Sequence, residues 1–266
     1  MTDATSTLNH VTSKDGTTIG YDRLGNGPSV ILVSGGSVDR RSNAGLAAIL
    51  ASDFTVFNYD RRGRGDSGDT LPYAIAREIE DIDAVVGAAG GRAHIYGTSS
   101  GAGLAFEAAR RLGSKISRLA MWEPPYIDDP AARPPADQVE QYDRMLAEGR
   151  RSDMAEFFMA QVVRMPPEFV VFAKTQPFWA DQEKIAHTLA YDARIMGDYS
   201  LPIEQAAKLT VPTIVIAGGA SVPFLPATAK ALGAALPNGR SEIIPGQDHN
   251  VAPDAIAPVL KEFFAG

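Results

Sequence analysis

Apolar residues in this chain gather into short continuous runs separated by glycine- and proline-bearing turns. Ser29–Val33, Phe54–Tyr59, Ala93–Tyr96, Ile116–Trp122, Thr213–Ala217 and Ser241–Pro245 are the runs. Runs of this length with little polar alternation predict strands covered on both faces, as in parallel sheets. Between them, Ile75–Val86, residues 103–112, Lys230–Leu236 and Ala255–Phe264 carry helical spacing. Strands alternating with helices predict an α/β fold with a mostly parallel central sheet and helices on both faces. Thr17–Tyr21, after the turn Lys14-Asp15-Gly16, predicts a hairpin strand, and the residues before it read as a polar tail that includes His10.

One stretch breaks the alternation. Residues 126–207 hold candidate helices at Asp137–Gly149, Asp153–Arg164 and Gln182–Met196, separated by proline-bearing breaks. The chain therefore divides into a core, residues 1–125 and 208–266, and a helical insertion, 126–207.

The strongest chemical signal is Gly97-Thr98-Ser99-Ser100-Gly101, placed between a strand-like run and a helical one. A G-x-S-x-G sequence at that junction predicts a nucleophile elbow. The glycines permit a turn too tight for a Cβ, and the first amides of the following helix favour negative charge developing beside Ser99.

Composition narrows the classes. The 266 residues carry a net charge of −7, and the only basic cluster is Arg61-Arg62-Gly63-Arg64, so nucleic acid and anionic membranes are poor partners. With no cysteine there is no disulfide, thiol nucleophile or Cys-ligated metal. The start, MTDATSTLNH, lacks a basic n-region and an apolar h-region, and no run is long enough to span a membrane. A cytoplasmic protein acting on a small molecule, with no metal and no cofactor, is the expectation.

The order of the Ser34-Gly35-Gly36 loop, the Asp60–Gly68 loop, the elbow, the late strand at Thr213 and the final Gly246-Gln247-Asp248-His249-Asn250 resembles the α/β-hydrolase superfamily over residues 15–265. The resemblance implies an α/β-hydrolase fold with 126–207 as its helical cap. It also implies an oxyanion hole made by the backbone amides of Gly36 and Ser100. Serine stands at position 34, where the family usually has histidine. Of the four histidines, His10 lies in the tail, His94 inside a buried-strand pattern and His187 in the insertion. His249 follows the last strand, where the family's catalytic base belongs.

The orienting acid departs from the common family pattern. The loop after Thr213–Ala217 reads Gly218-Gly219-Ala220-Ser221, and no Asp or Glu occurs from Thr210 to Ser241. Glu123, at the end of the strand that follows the elbow, is the candidate, an arrangement that resembles the serine–histidine–glutamate lactonases of the zearalenone-hydrolysing type. Pro124 is expected to hold Glu123 extended. Asp60, ending strand 54–59, is the alternative, with a competing role as organiser of the arginine-rich turn.

Five of the eleven phenylalanines fall between Phe157 and Phe178, with Met145, Met154, Met159 and Met165 nearby. They suggest an apolar roof over the site, with Phe157, Phe158 and Trp179 as pocket candidates. The combined expectation is a serine hydrolase cleaving a carboxylic ester or lactone with a hydrophobic body. A lyase, cyclase or perhydrolase on the same fold, and a ligand-binding member without catalysis, are the alternatives.

Overall fold

The computed structural model describes residues 7–266, so residues 1–6 of the stretch read for a signal lie outside the described residues. The strands are β1 (Thr7–Thr12), β2 (Thr18–Leu24), β3 (Ser29–Val33), β4 (Thr55–Tyr59), β5 (Ala93–Thr98), β6 (Ile116–Trp122), β7 (Thr213–Gly218) and β8 (Gly239–Ile244). Among the described residues they form one sheet in the order β1-β2-β4-β3-β5-β6-β7-β8. β1 and β2 pair antiparallel, as do β2 and β4, and all remaining pairs are parallel.

The helices are α1 (Ala44–Leu50), α2 (Ile75–Ala88), α3 (Ser100–Leu112), α4 (Gln138–Ala147), α5 (Arg151–Phe157), α6 (Pro167–Lys174), α7 (Trp179–Ile185), α8 (Leu189–Met196), α9 (Ile203–Ala206), α10 (Phe224–Ala235) and α11 (Pro253–Ala265). Period-two alternation divides the strand side chains between two cores. Ile31, Val33, Ile95, Leu119, Met121 and Val215 pack with α2, α3 and α10, while Val30, Leu32, Ala120, Trp122, Ile214 and Ile216 pack with α1 and α11. Each aliphatic side chain fully buried this way contributes about 1.5–3 kcal/mol, which is why these runs are apolar at consecutive positions.

Three expectations are corrected. The polar tail is β1 in its second half, with His10 opposite Gly20 of β2. TLNHVT escapes the apolar criterion because an edge strand is paired on one side only and tolerates polar residues. The third insertion helix is two, α7 and α8, parted by a 3₁₀ turn at Ala186–Thr188. The second, read as running to Arg164, passes from α5 into a π-helical turn at Phe158–Val162. The short α1 and α6 had not been expected. Between β6 and β7 the described residues hold helices and turns only, grouped around two apolar clusters, one with Tyr142, Met154 and Leu189, the other with Ala155, Val170 and Trp179.

Candidate active site

Ser99 sits between β5 and α3 with φ +55° and ψ −128°. That conformation is sparsely populated for a residue with a Cβ and costs about 1–3 kcal/mol. The neighbours explain how it is held. A Cβ on Gly97 would run into the backbone of Gly101 and Ala102, and one on Gly101 into the carbonyls of Val33 and Ser34. The glycines therefore let the elbow close against β3, and Ser99 N donates to Trp122 O at 2.9 Å.

The end of β6 organises the rest. Glu123 follows Trp122 and is fully buried. Its Oε2 lies 2.7 Å from His249 Nδ1, and its Oε1 accepts from Gly218 N at 2.7 Å and from Ser221 Oγ. Trp122 Nε1 donates to His249 O at 3.1 Å, so neighbouring residues hold both the ring and the backbone of the histidine. With Nδ1 engaged by the carboxylate, Nε2 is the ring nitrogen left for a hydroxyl substrate or nucleophile. The His249 side chain is 44 % exposed, which leaves it open to a substrate.

Two points here escape the sequence reading. Glu123 is not extended: its φ is +43°, because the carboxylate turns back toward Gly218, Ser221 and His249 at the strand end. Ser221, read only as part of a loop that lacks an acid, donates to the carboxylate that comes from the neighbouring strand. The sequence signal was the pairing of a missing acid after β7 with an unexplained acid after β6.

The Ser34-Gly35-Gly36 loop follows β3. A Cβ on Gly35 would sit 3.1 Å from Ser99 Cβ, so the loop passes directly beside the nucleophile candidate. A Cβ on Gly36 would sit 3.2 Å from Asp192 Oδ2 and 3.5 Å from both Phe158 Cζ and Ser100 Oγ. The structure thus brings Gly36, Ser100 and Phe158 together beside Ser99. Phe157 packs edge-on against Tyr142 at 5.2 Å, and Trp179 is buried in an apolar cluster with Nε1 donating to Ser152 Oγ and Glu183 Oε1.

Asp60 is buried as well, but its carboxylate accepts from Arg40 N and Asp66 N, each at 2.8 Å, and from the Arg40 guanidinium. Burial raises its pKa above the ordinary aspartate value, and these donors offset the effect only in part. Gly65 packs so closely on the carboxylate that no Cβ would fit. Beside it lies a buried network that sequence reasoning missed. Arg61 pairs with Glu78 and, at 2.6 Å, with Asp192 Oδ1, while Arg64 pairs with Asp192 Oδ2 at 2.6 Å. Burial opposes ionisation of Asp192, yet the two guanidiniums outweigh it and hold the carboxyl below its ordinary value. Ser100 Oγ donates to the same carboxylate at 2.8 Å.

Among the described residues no group of His, Asp and Glu side chains is arranged to hold a metal ion, and no helix is long and apolar enough to cross a membrane. An open groove of ≈ 490 Å³ with Arg92, Arg110, Arg111 and Lys208 in its lining lies at the amino ends of β5, β6 and β7, away from Ser99.

Comparison with known proteins agrees with this architecture. An alpha/beta hydrolase from Sphaerobacter thermophilus DSM 20745 is 50 % identical, with 96 % of this chain and 100 % of that one covered at a TM-score of 0.89. A thermophilic esterase from Thermogutta terrifontis shares the fold at 20 % identity, covering 97 % and 98 % of the two chains at a TM-score of 0.76. The enol-lactonase from Burkholderia xenovorans LB400 does so at 20 %, covering 97 % and 100 % at 0.74. A search of curated proteins returns no match. The profile of the alpha/beta hydrolase family matches residues 30–261. With nearly the whole chain accounted for in this way, the protein belongs to the alpha/beta hydrolase family and is a hydrolase.

Proposed function

We propose that this protein is a serine hydrolase that cleaves a carboxylic ester or lactone with a hydrophobic body through an acyl-enzyme. The observation that carries the reading is the Glu123–His249 contact of 2.7 Å at the strand end whose carbonyl also anchors the amide of Ser99. His249 Nε2 takes the Ser99 proton as Oγ attacks the carbonyl carbon, and Glu123 stabilises the imidazolium that forms. The amides of Gly36 and Ser100 receive the charge on the carbonyl oxygen. His249 then protonates the leaving alkoxide. A water, deprotonated in turn by His249, adds to the acyl carbon and releases Ser99 with the acid product. In a lactone the leaving oxygen stays tethered to the acyl group, so ring opening yields one hydroxy acid.

The helical stretch 126–207 serves as a cap over a core formed by 1–125 and 208–266. Phe158, next to Gly36, is its best-placed pocket residue, and Phe157 and Trp179 support it from the cap interior. An acid after the strand that follows the elbow resembles the zearalenone-type lactonases, and an esterase and an enol-lactonase share the fold. We read the substrate as a small cytoplasmic molecule and the reaction as cofactor-free.

The test is covalent labelling. A fluorophosphonate should modify Ser99 rapidly in the wild type and not in Ser99→Ala. A panel of p-nitrophenyl esters and lactones graded by acyl length and ring size should then show turnover. Absence of both labelling and turnover would sink the proposal.

A further inference from the structure

The Gly35–Gly36 peptide faces two neighbours at once. Its carbonyl oxygen accepts a hydrogen bond from Arg64 Nη1. Its amide is the Gly36 N–H that the mechanism above uses on the oxyanion. In a trans peptide the carbonyl and the amide point in opposite directions, so fixing one fixes the other. The peptide has glycine on both sides and therefore little intrinsic resistance to rotating as a plane. Something outside it must set its orientation.

Arg64 is built to do so. The side chain is fully buried, and each of its nitrogens has a partner. Nη1 also donates to Val38 O at 3.1 Å, Nε to Thr188 Oγ1 at 3.0 Å, and Nη2 to Asp192 Oδ2 at 2.6 Å. Thr188 and Asp192 belong to the helical insertion, Thr188 just before α8 and Asp192 in its first turn. Asp192 Oδ1 in turn takes Ser100 Oγ at 2.8 Å and Arg61 Nη1 at 2.6 Å. Ser100 supplies the second oxyanion amide in the mechanism above, so one buried Arg–Asp pair touches the carbonyl side of the Gly35–Gly36 peptide and the side chain of Ser100.

We propose that Arg64 and Asp192 are positioning residues for the oxyanion hole: Arg64 orients and polarises the Gly35–Gly36 peptide, and Asp192 fixes Arg64 and Ser100 to α8. The inference rests on the serine-hydrolase reading and adds a coupling to it, because the donors are set only when the insertion is seated on the core. A guanidinium on the carbonyl strengthens the N–H at the other side of the peptide as a donor. Charge points the same way. Asp192 lies close to Gly36, and a lone carboxylate there would repel an oxyanion. Two arginines on that carboxylate, one of them shared with Glu78, offset its charge. Burial and the neighbouring Arg61 lower the pKa of Arg64, but an arginine remains charged at any working pH. A buried ion pair contributes little net stability, so its contacts with the Gly35 carbonyl and the Ser100 hydroxyl are what a purely structural role leaves unexplained.

The experiment compares wild type, Arg64→Lys, Asp192→Asn and Ser100→Ala with p-nitrophenyl butyrate and a trifluoromethyl ketone that adds to the serine as a tetrahedral alkoxide. Active sites are first titrated with a fluorophosphonate. Loss of one oxyanion donor costs about 10²–10³ in kcat, and Arg64→Lys, which keeps the charge but not the fork, should approach the lower figure. Asp192→Asn should lose about tenfold and Ser100→Ala about threefold, the range of single hydrogen bonds to a charged group. KM should stay within about twofold, and the ketone inhibition constant should rise by the factor by which kcat/KM falls. An inhibition constant equal to that of the wild type, with activity lost only in proportion to titratable sites, overturns the inference. If Arg64→Lys fails to fold, Ser100→Ala, which opens no large cavity, decides by the same criterion. A wild type that the fluorophosphonate does not label at all instead overturns the serine reading beneath it.

Discussion

Glu123 and Asp192 are both buried carboxylates within reach of the elbow, yet they are held by different chemistry. Asp192 is locked by two guanidiniums, Arg61 and Arg64, whose permanent charge cancels its own. Glu123 is held by an amide, a hydroxyl and an imidazole, none of which carries a fixed charge. A carboxylate already neutralised by arginine can position its neighbours but has little left to give a transient cation. A carboxylate ionised among neutral donors can stabilise an imidazolium when one forms. Asp60, held by Arg40, falls on the Asp192 side of this division.

The largest expected effect comes from removing the proposed nucleophile. Ser99→Ala should lower kcat by about 10⁶-fold while the melting temperature is unchanged or slightly higher. Near-wild-type ester turnover by that variant would make the contrast between the two acids irrelevant to chemistry.

The contrast itself is tested by neutralising the acids in turn. Glu123→Gln should cost about 10²–10⁴ in kcat, because shape is kept and charge is lost. Asp60→Asn should leave kcat within a few-fold and instead lower the melting temperature, through the loop that Arg40 and Asp66 close on it. The reverse ranking would move the orienting acid to the end of β4.

His94 supplies a third case, a partly buried ionisable group whose Nδ1 is enclosed and has no hydrogen-bond partner among the described residues. Burial first, then the nearby Arg118 and Arg92, lower its pKa to about 4 from an ordinary 6.5. Between those values the unfolded chain binds a proton that the folded one refuses. Stability should therefore fall as pH drops from 6.5 toward 4 and change no further from this source below 4, by no more than about 3 kcal/mol in all, because solvent screens the partly exposed ring. Urea unfolding at pH 7 and pH 4.5 checks this, and His94→Phe should flatten the difference. An equal loss in the variant would place the acid sensitivity elsewhere.

The smallest effect sharpens the account of Glu123. Ser221→Ala should reduce kcat by about threefold to tenfold, since one neutral donor to the carboxylate is gone. Ser221→Asp in the wild type should be worse, because two carboxylates would share one site. In the Glu123→Gln background the same change should restore part of the lost kcat by returning an acid to the family's usual strand. Failure of that restoration, with His249 intact, would show that the aspartate cannot reach the ring.

Much of this was legible in the chain. β3 was delimited to the residue, and the elbow was read from two glycines whose necessity the packing against Ser34 and Ala102 makes plain. Glu123, which the structure places against His249, was singled out by an absence after β7 together with a presence after β6. What stayed hidden depends on contacts between distant segments. Nothing local in Asp192 distinguishes it from a solvated helix carboxylate, since its partners Arg61, Arg64 and Ser100 lie about 90 to 130 residues away. Ser221 looked like a loss because its value lies in a neighbour on another strand. β1 was missed because an edge strand owes its place to backbone pairing more than to apolar side chains.

The site at the end of β6 also sets a timetable for making the protein. Glu123 leaves the ribosome before its partners Gly218, Ser221 and His249, which follow 95, 98 and 126 residues later. At about 5–20 residues per second, synthesis of that interval takes on the order of ten seconds. Until then the carboxylate must stay in water, because burial without partners is too costly, and β6 remains an open sheet edge. The nascent chain is thus most exposed to proteases and to pairing with other strands in the period before β7 arrives. A message truncated within the insertion would yield a chain that holds Ser99 and Glu123 but lacks the segments that enclose Glu123.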